Sequence, residues 1–505
     1  MKKSIVSYLE ENAKILKEKT IFEESNKKVS YSEFCKDSKI IASNILKNGE
    51  EIYNEPIAIF IDKSIQCLEV MFGILYSGNC YCVLDTTSPQ ERISTIINTL
   101  NPKLIISDNK HISELSSYNI QKLNIDSLSI TNINEKELDK VEKKRIDTDP
   151  AYILFTSGST GIPKGTVITH RSLINYVKWF GITFNINDKT IFGNQTPFYF
   201  SMSVSDVYST VMFGATLNII PKINFSFPVN LIKYLNEHMI NTIYWVPSII
   251  SIVANSKIFD YILPEYLEKV LFAGEVMPMP QLNIWRKYLP NLFYANLYGP
   301  TETTDICAYY IINRDFKDNE TLPIGKACDN LEIMLITDDG KQVSSDEIGE
   351  IFVRGSFVGN GYYNNIEKTN LSFVQNPLNK NYPEIVYKTG DLGKINKYGE
   401  IEYYGRKDFQ IKHMGYRIEL GEIETNINSL EGLTICACIY DVIHKFIVLF
   451  YESQILNDDD VINYSDKKLL KYMRPNKIIK LSKMPYNANG KIDRVELKKI
   501  YEEMI

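Results

Sequence analysis

The sequence predicts a multidomain α/β protein that ends in a smaller α+β unit. Three observations carry that prediction. The chain has 505 residues, room for about three packed units at roughly 150 residues each. Short apolar runs of strand character alternate with amphipathic stretches over most of its length, the pattern of α/β layers around mainly parallel sheets. Near residue 400 this texture gives way to a compact mixture of hairpin, helix and strands. An apolar content of 44% with 23% charged residues supports a packed core and excludes wholesale disorder.

Taken in order, the runs Pro56–Ile61, Lys103–Ser107, Ala151–Phe155, Thr216–Pro221, Thr242–Val246 and Lys269–Phe272 read as buried strands, because each is short, apolar and bounded by polar or turn residues. Ile93–Leu100 and Leu231–Met239 have helical periodicity. Glu402–Gly405 reads as a strand, and polar Arg406, Lys407 and Asp408 follow it. We place a domain boundary there, giving units 1–407 and 408–505, the second an ordinary domain size. In that unit Phe409–Lys412 and Tyr416–Leu420 form a hairpin through Gly415, a helix starts at Glu422, and strands follow at Thr434–Tyr440 and Phe446–Tyr451.

Composition excludes several classes of function. The net charge is −6, and no basic stripe marks a nucleic-acid binder. No apolar region follows Met1, Lys2 and Lys3, and no run of about 18 apolar residues suggests a membrane span, so the expectation is a cytoplasmic protein without membrane insertion. The eight cysteines form no C-x-x-C. The pairs Cys80/Cys82 and Cys436/Cys438 lie in strand-like runs and read as reduced core thiols. The five histidines give no zinc spacing.

Four segments carry chemistry. Thr156-Ser157-Gly158-Ser159-Thr160-Gly161-Ile162-Pro163-Lys164-Gly165 follows a strand and offers backbone N–H donors, hydroxyls and a lysine suited to phosphate. It is not a Walker loop, since G-x-x-x-x-G-K-[ST] cannot be laid over it. In Asn296-Leu297-Tyr298-Gly299-Pro300-Thr301-Glu302 an aromatic at a turn can stack on a base and the carboxylate can hold Mg²⁺, which takes one or two carboxylates plus phosphate oxygens. Asp391, in Thr389-Gly390-Asp391, suits ribose hydroxyls. Lys491, on the glycine turn Asn489-Gly490-Lys491, is a cation able to reach into a site. Each motif alone also reads as an ordinary surface turn.

Together and in this order, the motifs resemble the adenylate-forming superfamily, and within it the amino-acid adenylation domains of nonribosomal peptide synthesis. The resemblance runs nearly end to end and includes Gly349-Glu350, Gly361-Tyr362 and Gly405-Arg406-Lys407-Asp408. The stretch from Asp408 to Glu424 resembles the stand-alone D-alanine–carrier protein ligases. The resemblance implies a large N-terminal domain of two α/β subdomains and a small β-barrel-like subdomain, with a mobile C-terminal α+β domain. It implies two half-reactions: a carboxylate attacks the α-phosphorus of MgATP, giving an acyl-adenylate and pyrophosphate, and a phosphopantetheine thiol then takes the acyl group. No Gly-Gly-x-Ser site follows the final lysine, so the expected partner is a separate carrier protein.

Carried over residue by residue, the resemblance assigns Thr156, Ser157, Gly158 and Lys164 to the phosphates and Asn296 to the adenine edge. Tyr298 would stack on the adenine face, within a nucleotide-binding segment that also holds Leu297, Gly299, Pro300 and Thr301. Asp391, Tyr403 and Arg406 go to the ribose region, Glu302 to Mg²⁺ and Asp408 to the hinge. Lys491 would bridge the substrate carboxylate and the α-phosphate in the first half-reaction. The alternatives weighed beside this reading are a D-alanine–carrier protein ligase, an acyl-CoA ligase and a non-catalytic pseudoenzyme.

The substrate pocket departs from the pattern. Amino-acid-activating members carry Phe-Asp-x-Ser, whose Asp grips the α-ammonium; here the stretch is Phe200-Ser201-Met202-Ser203. A buried ammonium without a carboxylate is costly, so a conventional α-amino acid is not expected. The rest of the pocket maps to Met202, Ser205, Tyr244, Leu271, Ala273, Leu297, Asp305 and Ile306. Asp305 stands where family sites are usually apolar or small. Two substrates follow: a β- or ω-amino acid whose ammonium meets Asp305, or an acid without an amine, with Asp305 hydrogen-bonded or turned away. The absent α-ammonium partner also suggests a role in secondary metabolism.

Overall fold

The computed structural model describes residues 2–48, 52–129, 131–158, 162–344, 347–407, 410–486 and 492–504. They divide into two compact units. The first comprises Met1–Thr86, Thr99–Leu154 and Gly165–Lys407; the second comprises Thr87–Asn98, Phe155–Lys164 and Asp408–Ile505.

The runs read as strands are strands: Pro56–Phe60, Leu104–Ser107, Pro150–Thr156, Thr216–Ile219, Thr242–Trp245 and Lys269–Phe272. Helices extend beyond their apolar stretches where the first turn is polar. The helix expected from Ile93 begins at Gln90, because Gln90, Glu91 and Arg92 add no apolar periodicity although an acidic first turn suits the helix dipole.

The first unit holds most of three sheets. In the nine-stranded sheet, Phe293–Tyr298, Lys269–Phe272, Thr242–Trp245, Ile191–Asn194, Thr216–Ile219 and Thr20–Glu24 run parallel as successive neighbours, with antiparallel strands at both edges. From Ile191–Asn194 the chain goes first to Thr216–Ile219 on one side and later to Thr242–Trp245 on the other. Such a reversal of strand order opens a crevice at the carboxyl ends of the strands, here beside Asn194. The six-stranded sheet has a parallel core built on Pro56–Phe60. The five-stranded antiparallel sheet centres on the long strand Ile385–Ile395, which pairs with Gly349–Gly355, Phe373–Gln375 and Ile401–Arg406.

The second unit contains the antiparallel hairpin Gln410–His413/Tyr416–Glu419. Its sheet pairs Ile435–Asp441 with Phe446–Glu452 antiparallel, and Lys477–Leu481 joins in parallel. The helix Asp458–Lys468 opens with a capping box of Asn457 and Asp460, which satisfies two otherwise orphaned backbone donors. No described helix is long and apolar enough to cross a membrane. All eight cysteines are buried, and none forms a disulfide among the described residues. Burial raises the thiol pKa of Cys67, Cys82, Cys328, Cys436 and Cys438, and that of Cys80 to about 12.

Candidate active site

The pocket residues gather at the carboxyl ends of the nine-stranded sheet. Ser201 and Met202 precede the helix Ser203–Phe213, which carries Ser205. Tyr244 and Leu271 lie on adjacent strands, Ala273 follows one of them, and Leu297 lies on the next. Met202, Tyr244, Leu271, Ala273, Leu297 and Ile306 are buried in one hydrophobic cluster. Five of the six are wholly apolar, so the wall is greasy and its polar groups stand out.

Those polar groups converge on Asp305, which is 2% exposed. Its Oδ1 accepts from the Ser201 hydroxyl at 3.1 Å. Its Oδ2 lies 2.9 Å from the Ser205 hydroxyl, 2.9 Å from that of Tyr244 and 3.1 Å from that of Tyr176. Tyr176 and Ser205 are themselves 2.5 Å apart; each has one proton, so two protons serve three contacts in this triangle with Asp305. No cation pairs with Asp305 among the described residues. Burial pushes its carboxyl up to about 6 against the pull of these hydroxyls.

Local backbone geometry aims this carboxylate. Thr304 and Asp305 adopt φ of 57° and 95°, sparsely populated for side-chain-bearing residues and a form of strain that clusters at functional sites. Gly299 makes the geometry possible. A Cβ there would lie 2.3 Å from the Asp305 carbonyl oxygen and 2.5 Å from the Ile306 Cα. The Cys307 N–H donates to the Tyr298 carbonyl at 2.8 Å, so the Tyr298–Thr301 turn and the Asp305 segment lie back to back.

A second buried carboxylate stands behind the first. Asp206 accepts from Asn194 Nδ2 at 2.7 Å and from the Val207 N–H at 2.8 Å. Lys63 donates to the Gln195 carbonyl at 3.1 Å and the Asn194 carbonyl at 3.4 Å. Burial lowers the Lys63 pKa and raises that of Asp206; each stabilises the other's charged form, and Asp305 adds to the rise of Asp206.

The first unit also groups the residues assigned to adenine, ribose and metal. The Tyr298 hydroxyl donates to Asp391, which Arg406 Nη1 grips at 2.6 Å. Tyr403 lies with its ring 6.1 Å from that of Tyr298. Asn296 Nδ2 donates to the Pro323 carbonyl at 2.9 Å. Glu302 is wholly buried, and its Oε1 accepts from the Tyr362 hydroxyl at 2.7 Å. A carboxylate is a ligand type that Mg²⁺ takes, and the Tyr362 hydroxyl occupies only one of the two oxygens. Among the described residues no cluster of three or more His, Cys, Asp or Glu could hold a metal, so an ion at Glu302 would draw its other ligands from phosphate and water.

In the second unit, the Ser157 hydroxyl donates to the Arg417 carbonyl at 2.7 Å and the Gly158 N–H donates to Glu422. Gly158 is required: a Cβ there would lie 2.0 Å from the Ile162 carbonyl oxygen. The Thr156 hydroxyl is buried and has no hydrogen-bond partner among the described residues, as suits a group awaiting a ligand. Lys164 opens the strand Lys164–Thr169. Lys491 and Asp408 lie outside the described residues.

Sequence reasoning named Tyr362 only within Gly361-Tyr362, without a role, and did not find Tyr176 or Lys63. Tyr176 lies on the helix His170–Thr183 beside Trp179 and Phe180, where an aromatic stripe reads as core. Its hydroxyl is the only signal, and that becomes visible once Asp305 is known to be opposite.

A family model described as AMP-binding enzyme matches residues 9–363. Zwittermicin A synthase ZmaJ of Bacillus cereus is 32% identical over 482 residues, spanning 92% of this chain and 89% of that protein. The D-alanine–D-alanyl carrier protein ligase of Lacticaseibacillus casei (strain BL23) is 31% identical over 461 residues, spanning 88% and 89%. Among solved structures, holo-PA1221, an NRPS protein containing adenylation and PCP domains bound to a vinylsulfonamide inhibitor, shares the fold with a TM-score of 0.83. It is 20% identical, and the match covers 98% of this chain and 84% of that one. The chain therefore belongs to the AMP-binding enzyme family, the adenylate-forming superfamily, and is an acid–AMP ligase.

Proposed function

We propose that this ligase activates a small amino acid whose ammonium lies off the α-carbon, as in a β- or ω-amino acid, and passes the acyl group to the phosphopantetheine thiol of a carrier protein. The observation that carries the substrate reading is Asp305, a buried carboxylate fixed by hydroxyls and lacking a described cation. Its Oδ1 has one donor, Ser201, the residue standing where relatives hold the α-ammonium. With Asp206, the pocket region carries two buried carboxylates, Asp206 and Asp305, against the single described lysine Lys63. A substrate ammonium balances that charge, and an isolated buried charge is otherwise costly. The carrier reading is supported by the name of the relative that loads D-alanine onto a carrier protein.

Thr156, Ser157, Gly158 and Lys164 would hold the phosphates of ATP, and Asn296, Tyr298, Asp391, Tyr403 and Arg406 the nucleoside. Glu302 would hold Mg²⁺, which when bound neutralises phosphate charge. Lys491 would bridge the substrate carboxylate and the α-phosphate, and Asp408 would be the hinge.

ATP–pyrophosphate exchange against α-, β- and ω-amino acids and aryl, hydroxy and keto acids tests the reading. The expected outcome is preference for a β- or ω-amino acid, with thioester formed on a carrier rather than on CoA. Preference for an amine-free acid would overturn it in favour of a second reading, which the same four hydroxyls support because they solvate Asp305 without a cation. Strong exchange with D-alanine would also overturn it.

pH offers an independent check. Asp305 has a raised pKa, so the folded protein holds its proton between the ordinary carboxyl value near 4 and about 6. Stability without substrate therefore falls as pH rises through that window. The groups facing Asp305 are Tyr176 and Tyr244, kept neutral by burial, and Asp206. An ammonium binds the ionised carboxylate, so the KM for an amine-bearing acid is expected to fall as pH rises from about 5 to about 7. Exchange kinetics across that range would show it, and a KM independent of pH would count against the contact.

A further inference from the structure

We infer that Tyr362 is a positioning residue for the divalent cation, acting through Glu302. The inference rests on the reading that Glu302 holds Mg²⁺. Glu302 is gripped twice by one segment. The Gly359 N–H donates to its carbonyl oxygen at 2.8 Å, and the Tyr362 hydroxyl donates to its carboxylate Oε1 at 2.7 Å.

That segment is itself held firmly. The Asn360 N–H donates to the Val167 carbonyl at 2.9 Å, the Val167 N–H to the Gly361 carbonyl at 3.0 Å, and the Tyr363 N–H to the Gly165 carbonyl at 2.8 Å. The Tyr362 N–H donates to Thr369 Oγ1 at 2.9 Å. The Tyr362 ring packs edge-on to Phe373 at 5.6 Å, and Phe373 packs on Tyr387 at 5.0 Å. Gly359 and Gly361 suit the close approach. A Cβ at Gly359 would lie 2.9 Å from the Val167 carbonyl oxygen, and Gly361 has φ of 99°.

The result is a hydroxyl delivered from a rigid aromatic base to one oxygen of a wholly buried carboxylate. Fixing Oε1 stops rotation of the carboxyl plane and so sets where Oε2 points. A neutral donor does this without cancelling the negative charge a cation needs. Partners of this kind behind a metal ligand are worth about 10–100-fold in metal affinity.

The test is Mn²⁺ binding to the full chain in the presence of a nonhydrolysable ATP analogue, read from the electron paramagnetic resonance of free Mn²⁺. Tyr362→Phe keeps the ring and removes the donor. It is expected to weaken Mn²⁺ binding by about 10–100-fold and to leave metal-free AMP affinity unchanged. Glu302→Gln is expected to weaken Mn²⁺ at least as much. Loss in Glu302→Gln with wild-type affinity in Tyr362→Phe would overturn the role of Tyr362 alone. Wild-type affinity in both would overturn the assignment of Glu302 as well. If Tyr362→Phe does not fold, 3,5-difluorotyrosine at 362 keeps the ring and acidifies the hydroxyl. Mn²⁺ affinity that changes with this acidity supports the inference, and unchanged affinity overturns it.

Discussion

Asp305→Asn is expected to lower ATP–pyrophosphate exchange with the amine-bearing substrate by roughly 10²- to 10⁴-fold, since breaking a buried ion pair by removing one partner costs about 3–5 kcal/mol. The substitution isolates charge. Asparagine keeps the size of the side chain, and its amide can be accommodated because the hydroxyls of Ser201, Ser205, Tyr176 and Tyr244 can each turn from donor to acceptor. The apparent KM for ATP is expected to stay unchanged, because no described hydrogen bond joins Asp305 to the adenine and ribose group around Tyr298 and Asp391. Stability gives a second readout of opposite sign. A carboxyl whose folded pKa is raised to about 6 weakens the fold above that pH, so the asparagine variant is expected to melt no lower than wild type at pH 8. Unchanged acid selectivity in this variant would sink the ammonium contact and leave Asp305 as a solvated structural charge.

Gly299→Ala is expected to lower exchange by at least ~10²-fold with every acid, because displacing a positioned group by about 1 Å has effects of that size. The added methyl would meet backbone, not a flexible side chain: the Asp305 carbonyl oxygen at 2.3 Å, the Ile306 Cα at 2.5 Å and the Cys307 nitrogen at 2.7 Å. Relief requires moving either the Tyr298 turn or the strained Asp305 segment. A melting curve separates displacement from unfolding, since overpacking typically costs about 1–3 kcal/mol, less than the stability of most domains. Exchange near the wild-type rate would show that the two segments can part without disturbing the pocket.

Much of the scaffold was legible because its signals are local. Lys269–Phe272 is strand in both readings, since a short apolar run between polar ends has few alternatives. The hairpin turning at Gly415, with φ of 82°, followed from a glycine between two strand-like runs. The pocket residues were mapped through the resemblance, and the structure places Ser201, Ser205, Tyr244 and Asp305 in one hydrogen-bonded group. What was not legible is carried by contacts between distant segments. Tyr362 and Glu302 are 60 residues apart, and Tyr176 and Asp305 are 129 apart. In each case the aromatic ring is core and only the terminal oxygen is part of the site. Lys63 follows the strand Pro56–Phe60 as an ordinary polar residue, and its partners, the carbonyls of Asn194 and Gln195, lie 131 and 132 residues away in the sequence.

The burial of all eight cysteines has a chemical consequence for an enzyme that makes activated acyl groups. An acyl-adenylate is an electrophile that any accessible thiolate would capture. Low-dielectric surroundings raise the pKa of Cys35, Cys67, Cys80, Cys82, Cys328, Cys436 and Cys438 and so favour the protonated thiol, whereas the thiolate is the nucleophile. The protein thus offers its own product no exposed cysteine sulfur, which suppresses self-acylation.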